Sequence, residues 1–130
     1  MSRTARALLI SDQEEPWGQL GRILQNLHFE VVRTRSCSEA LQAFKEESPP
    51  DLVFTDVTLP DGTWQDVLRA LKPNPQGVDL ILVSRIADDR LYITALESGA
   101  TDFVVPPFNQ SDVAYVVGNA VRNRLGRARA

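Results

Sequence analysis

The sequence predicts a three-layer α/β domain: a doubly wound, five-stranded parallel sheet, (βα)5, with helices on both faces. Three observations carry the prediction. Five short apolar runs, centred on Leu8-Leu9-Ile10, Val31-Val32, Leu52-Val53-Phe54, Leu80-Ile81-Leu82-Val83 and Phe103-Val104-Val105, are continuous rather than alternating, as strands buried on both faces are. Each is followed by apolar residues at helical spacing, and parallel neighbours need crossover connections of that kind. The 130 residues fit five such units, so 1–130 reads as a single domain with its core at 5–125.

Ala7–Ile10 forms the first strand and closes on Ser11-Asp12. Pro16 sits at the first position of helix one, where its missing N–H costs nothing, and Leu20, Ile23, Leu24 and Leu27 form the buried stripe. Strand two is Glu30–Thr34. Ser36 and Glu39 have capping-box spacing, Ala40, Leu41, Ala43 and Phe44 line helix two, and Ser48-Pro49-Pro50 stops it. Strand three runs into Asp56 and is followed by a Pro60-Asp61-Gly62 turn. Trp64, Val67, Leu68 and Leu71 stripe the third helix, which Pro73–Gly77 breaks. Leu80–Val83 is strand four, ending at Ser84. Asp88-Asp89 opens a fourth helix that carries Leu91, Ala95 and Leu96 and closes on Gly99. Phe103–Val105 is strand five, ended by Pro106-Pro107, and Asn109 caps a last helix with Val113, Val116, Val117 and Ala120 inward.

Composition narrows the function classes. The chain is 43% hydrophobic and 24% charged, as ordinary globules are, and its apolar runs are too short to span a bilayer. The basic N-terminus leads directly into a strand rather than a signal-peptide core, so a cytoplasmic location is expected. Cys37 is alone, which rules out an internal disulfide, and no Cys/His cluster has metal-site spacing. Arg122, Arg124, Arg127 and Arg129 crowd the last nine residues, leaving 10 basic against 17 acidic side chains, a net of −7, in residues 1–121. So acidic a body is not expected to bind nucleic acid directly. The segment 122–130 reads as a solvated basic helix end or a linker.

In a doubly wound sheet, the residues just past the strand ends meet at one edge, where such folds place their ligands. Here these are Ser11, Asp12, Asp56, Ser84 and Pro106. Neighbouring carboxylates repel and are relieved by a shared proton or a cation. Asp12, Asp56 and a backbone carbonyl just beyond, such as that of Thr58, make a partial oxygen shell for Mg²⁺, which keeps several waters. With the Ser84 hydroxyl placed to bond a phosphoryl oxygen, the set points to phosphoryl transfer onto Asp56. Trp17 and Trp64 follow the loops that would build this site and are expected to flank it. His28 has no acid, cysteine or second histidine beside it, so neither a zinc site nor a triad can be assembled.

Over residues 5–125 the chain resembles the receiver domains of two-component response regulators. The matching segments are Leu8–Asp12, Asp56-Val57-Thr58-Leu59-Pro60-Asp61-Gly62, Leu82-Val83-Ser84, and Gly99–Phe103 followed by Pro107-Phe108. The resemblance implies that Asp56 is the phosphoacceptor, Asp12 a metal-binding acid, and Ser84 the hydroxyl that follows the phosphoryl group. It makes Phe103 the aromatic switch. It also implies a histidine kinase or phosphotransfer protein as partner, Mg²⁺ as cofactor, a signalling rather than enzymatic role, and homodimerisation or partner binding through helix four, strand five and helix five, where Tyr92 and Tyr115 lie.

Two positions depart from the family pattern. Receivers carry an acid pair after strand one, whose first member is Ser11 here, and a Lys-Pro end to strand five, which is Pro106-Pro107 here. Proline supplies neither charge nor backbone donor. Arg85, after Ser84, stands where the family has a small residue. It either binds the phosphoryl group bidentately, points to solvent, or narrows access to Asp56. The rival reading of the whole chain is a receiver-like interaction module that signals without phosphorylation. Haloacid dehalogenase phosphatases carry Asp-x-Asp, but Thr58 follows Asp56 by two. A flavodoxin-like cofactor protein would need a Gly-rich loop where Ser11–Pro16 is acidic.

Overall fold

A computed structural model describes residues 5–45, 50–71 and 78–129, with the side chains of the last helix described as far as Ala120. The proline-containing stops at Ser48-Pro49 and 73–77 lie outside the described residues, as do the side chains of Arg122, Arg124, Arg127 and Arg129.

The continuous apolar runs become β1 (Arg6–Ile10), β2 (Glu30–Thr34), β3 (Leu52–Asp56), β6 (Asp79–Val83) and β7 (Asp102–Val104). They pair in parallel in the order β2-β1-β3-β6-β7. The predicted doubly wound fold is the observed one. Helices α1 (Trp17–Asn26) and α5 (Gln110–Arg129) cover one face, and α2 (Cys37–Phe44), α3 (Trp64–Leu71) and α4 (Asp89–Ser98) the other. The side-chain alternation of the central strands divides the core accordingly. Leu9 and Phe54 join Trp17, Leu20, Val113 and Val117 on one side, while Leu8, Ile10 and Val53 join Trp64, Val67 and Ala95 on the other.

Chain ends of the helices are set by local chemistry. Ser36 Oγ accepts the Glu39 N–H at 3.1 Å, and the Asn109 side chain accepts that of Asp112 at 2.9 Å, so both expected caps form. Pro16 is the cap of α1 rather than its first residue, since its carbonyl accepts the Leu20 N–H at 3.1 Å. Both α1 and α4 end in paired reverse bonds. Phe29 N–H reaches the Leu24 carbonyl and His28 N–H that of Gln25, as Ala100 N–H reaches Ala95 and Gly99 N–H reaches Leu96. This closure needs a left-handed residue, supplied by Gly99 at φ 110 in one case and by His28 at φ 71 in the other.

Three local expectations differ. Leu41 and Leu96 face outward, 42% and 39% exposed, because each lies one residue, and so about 100°, beyond the buried Ala40 or Ala95. The fifth parallel strand spans Asp102–Val104 rather than Phe103–Val105. The turn after Asp56 is a small antiparallel hairpin, β4 (Thr58–Leu59) with β5 (Gly62–Thr63). Asp61 at its tip accepts the Cys37 N–H at 2.7 Å and the Ser38 N–H at 3.0 Å, which satisfies free donors of α2. Those two bonds hold the Asp61 carboxyl below the usual carboxylate range, whereas burial, with the Asp61 charge next, pushes the Cys37 thiol up to about 11.

Candidate functional site

Strand register determines which residues meet. Ile10 pairs with Thr55 and Asp56 with Val83, so Ser11 and Ser84, one residue further, fall beside Asp56 at the carboxyl edge. The Ser11 hydroxyl donates to Asp56 Oδ2 at 2.9 Å, and the Val57 N–H donates to Oδ1 at 2.9 Å. Ser11 Oγ in turn accepts the Gln13 N–H at 3.1 Å. Both Asp56 oxygens are therefore oriented, each with one further lone-pair direction to offer.

Asp12, Asp56, Thr58, Ser84 and Arg85 all line one open cavity of about 640 Å³. Leu59, Pro60, Ile86 and Leu91 supply its apolar wall. Asp12 is exposed and accepts the Gln13 side-chain amide at 3.1 Å. Ser84 is buried, and its hydroxyl donates to the Ile86 carbonyl at 2.8 Å while accepting the Ile86 N–H at 3.2 Å. Its proton is thus turned onto its own loop and away from Asp56. Arg85 Nη2 lies 3.4 Å from the Glu15 carbonyl in the β1–α1 connection.

Asp88 also lines the cavity, with its side chain accepting the Arg90 and Leu91 N–H groups at the start of α4. Among the described lining residues, Asp12, Asp56 and Asp88 are the carboxylates and Arg85 is the one cation. Phe103 and Pro106 lie outside this lining. The Phe103 ring is half-buried and stands edge-on to Tyr92, centroids 5.6 Å apart at 75°. Trp17 and Trp64 are buried on opposite faces of the sheet and do not line the cavity, so the expected flanking of the site reduces to core packing.

The donor set fits Mg²⁺. Among the described residues no cluster of three or more His, Cys, Asp or Glu could hold an ion. Asp12, Asp56 and Thr58 nonetheless share the cavity, and two carboxylates with a carbonyl would be the few hard oxygen ligands that Mg²⁺ takes beside its waters. The contact that sequence reasoning missed is that of Ser11, placed at this edge but not as a partner of Asp56, to which its hydroxyl donates. The signal for it was the strand register, which the sequence does not display.

Residues 7–117 match the response regulator receiver domain family, to which the chain belongs. It is 29% identical to the chemotaxis protein CheY of Bacillus subtilis over 89% of this chain and 97% of that one. It is 32% identical to the DNA-binding response regulator MtrA of Mycolicibacterium smegmatis, covering 94% of this chain but 51% of that protein, about half its length. The receiver domain structure from Clostridium thermocellum superposes with a TM-score of 0.80 at 26% identity, over 92% of this chain and 96% of that one. A response regulator structure from Chloroflexus aurantiacus gives 0.83 at 24% identity, over 92% and 99%, and so speaks to the fold alone. No helix among the described residues is long and apolar enough to cross a membrane.

Proposed function

We propose that the chain is a phosphoacceptor receiver of a two-component phosphorelay, a cytoplasmic signalling module rather than an enzyme, modified on Asp56 by a histidine kinase or phosphotransfer protein. The observation that carries this reading is the placement of Asp56, oriented through both oxygens at the floor of a cavity that also holds Asp12, Thr58, Ser84 and Arg85. An Asp56 oxygen attacks phosphorus, the bond from phosphorus to the donor imidazole breaks, and the imidazole nitrogen keeps the electron pair and takes a proton. Mg²⁺ bound by Asp12, Asp56 and the Thr58 carbonyl would screen the phosphoryl charge.

Ser11 and Val57 hold the acceptor still, which lowers the ordering cost of attack. Ser84 leaves the Ile86 carbonyl to bond the new phosphoryl oxygens, and Phe103 shifts against Tyr92 as that loop moves. The modification then redistributes two pre-existing states by its unequal interaction with them. Output passes through α4, β7 and α5, where Tyr92, Ile93, Leu96 and Tyr115 are exposed, to a second copy of the chain or another protein. No direct contact with nucleic acid is needed.

A second reading, an interaction module that works unphosphorylated, is favoured by one fact: the segment after β7 carries Pro106, which brings no cation to the cavity. Incubation with Mg²⁺ and acetyl phosphate followed by intact-mass measurement separates the two. The expected result is one phosphoryl adduct on the natural chain and none on Asp56→Asn. A natural chain that stays unmodified while a phosphorylatable control receiver is labelled supports the second reading.

A further inference from the structure

We infer that Arg85 is the protein's own counter-charge to a phosphoryl group on Asp56, and that it takes up this role by leaving the Glu15 carbonyl. The inference rests on Asp56 being the phosphoacceptor. Phosphorylation replaces one negative charge at Asp56 with nearly two, in a cavity already lined by Asp12 and Asp88. Arg85 is the one cation among the described lining residues. Pro106, past strand five, has neither charge nor N–H to offer.

The resting contact of Arg85 is easily given up. Its guanidinium is exposed and meets a neutral carbonyl at 3.4 Å, close to the limit of a hydrogen bond. A phosphoryl group offers charged oxygens to the same planar fork, in a pairing roughly twice as strong. Arg85 follows Ser84 directly, so the hydroxyl and the guanidinium sit on one loop and can engage the phosphoryl group together. In the resting state this side chain joins the β6–α4 loop to the β1–α1 loop. After transfer that tie is broken.

The test compares the natural chain with Arg85→Ala and Arg85→Lys, each given Mg²⁺ and acetyl phosphate. An Asp56 oxygen attacks phosphorus and acetate departs with the electron pair of the broken P–O bond, so the adduct is counted by intact mass against time. Because Arg85 is exposed, both variants are expected to fold, which circular dichroism verifies. The expected result is an adduct rate about tenfold lower for Arg85→Ala, the scale of one lost bond to a charged group, with most of the rate kept by Arg85→Lys. Affinity for beryllofluoride, followed by fluorine NMR, is expected to fall in parallel, a readout independent of turnover. An Arg85→Ala rate equal to or above the natural one overturns the inference and leaves Asp56 as acceptor, with Arg85 a gate. Absence of an adduct on the natural chain overturns both.

Discussion

Ser11 shows how one residue can alter a site without leaving it. In place of a second carboxylate beside Asp12, it presents a hydroxyl that donates to Asp56 Oδ2 at 2.9 Å. The proposed cation site thereby has one negative charge fewer, and Asp56 has one hydrogen-bond donor more. Ser11→Asp is expected to strengthen Mg²⁺ binding by about tenfold, measured by titration calorimetry, since a third carboxylate adds both charge and a hard ligand. Unchanged affinity would place the ion elsewhere. That Ser11 lacks a charge is plain in the sequence. That it touches Asp56 is not, because the contact arises from pairing between strands 45 residues apart.

Asp61 contributes a pH dependence to stability. Bonds from the Cys37 and Ser38 N–H groups hold its folded pKa below its unfolded value. Its contribution to stability is therefore complete above the unfolded pKa and disappears as pH falls through the folded one. Asp61→Asn is expected to melt below the natural chain at pH 7, with the gap closing below about pH 4. A gap independent of pH would mean that the charge plays no part.

At the scale of elements, helix ends were more legible than helix faces. Ser36, Asp88 and Asn109 cap as their side-chain chemistry requires, because capping is a local property. Leu41 and Leu96 were misplaced because hydrophobicity alone does not say how far round a helix the neighbouring layer reaches. The β4–β5 hairpin was invisible because a two-residue strand has no periodicity. His28 is the exception among helix ends, a side chain at φ 71 where glycine is the usual occupant. His28→Gly relieves that strain and is expected to stabilise the domain by roughly 0.5–1 kcal/mol in urea unfolding, after the entropy that glycine adds to the unfolded chain. A destabilised variant would show that the imidazole makes an interaction worth more than the strain.

Across the whole molecule, the sequence foretold the architecture because each parallel strand is buried on both faces and so reads as an uninterrupted apolar run. The meeting of Asp12, Asp56, Thr58, Ser84 and Arg85 in one cavity followed from that architecture. What Arg85 reaches, and which way the Ser84 hydroxyl points, did not, since both depend on loop conformation. The outward face of α4, with Tyr92 and Ile93 44% and 53% exposed, lies next to the Phe103 ring on β7. A rearrangement at the cavity thus has a short path to an apolar surface.

The most direct measurement is to locate the modification. After treatment with Mg²⁺ and acetyl phosphate, borohydride reduction converts an aspartyl phosphate to homoserine, which peptide mass mapping then places in the chain. Homoserine at position 56 alone is the predicted result. Homoserine at Asp12 or Asp88 instead, or none at any carboxylate when a control receiver is labelled, would contradict Asp56 as the phosphoacceptor.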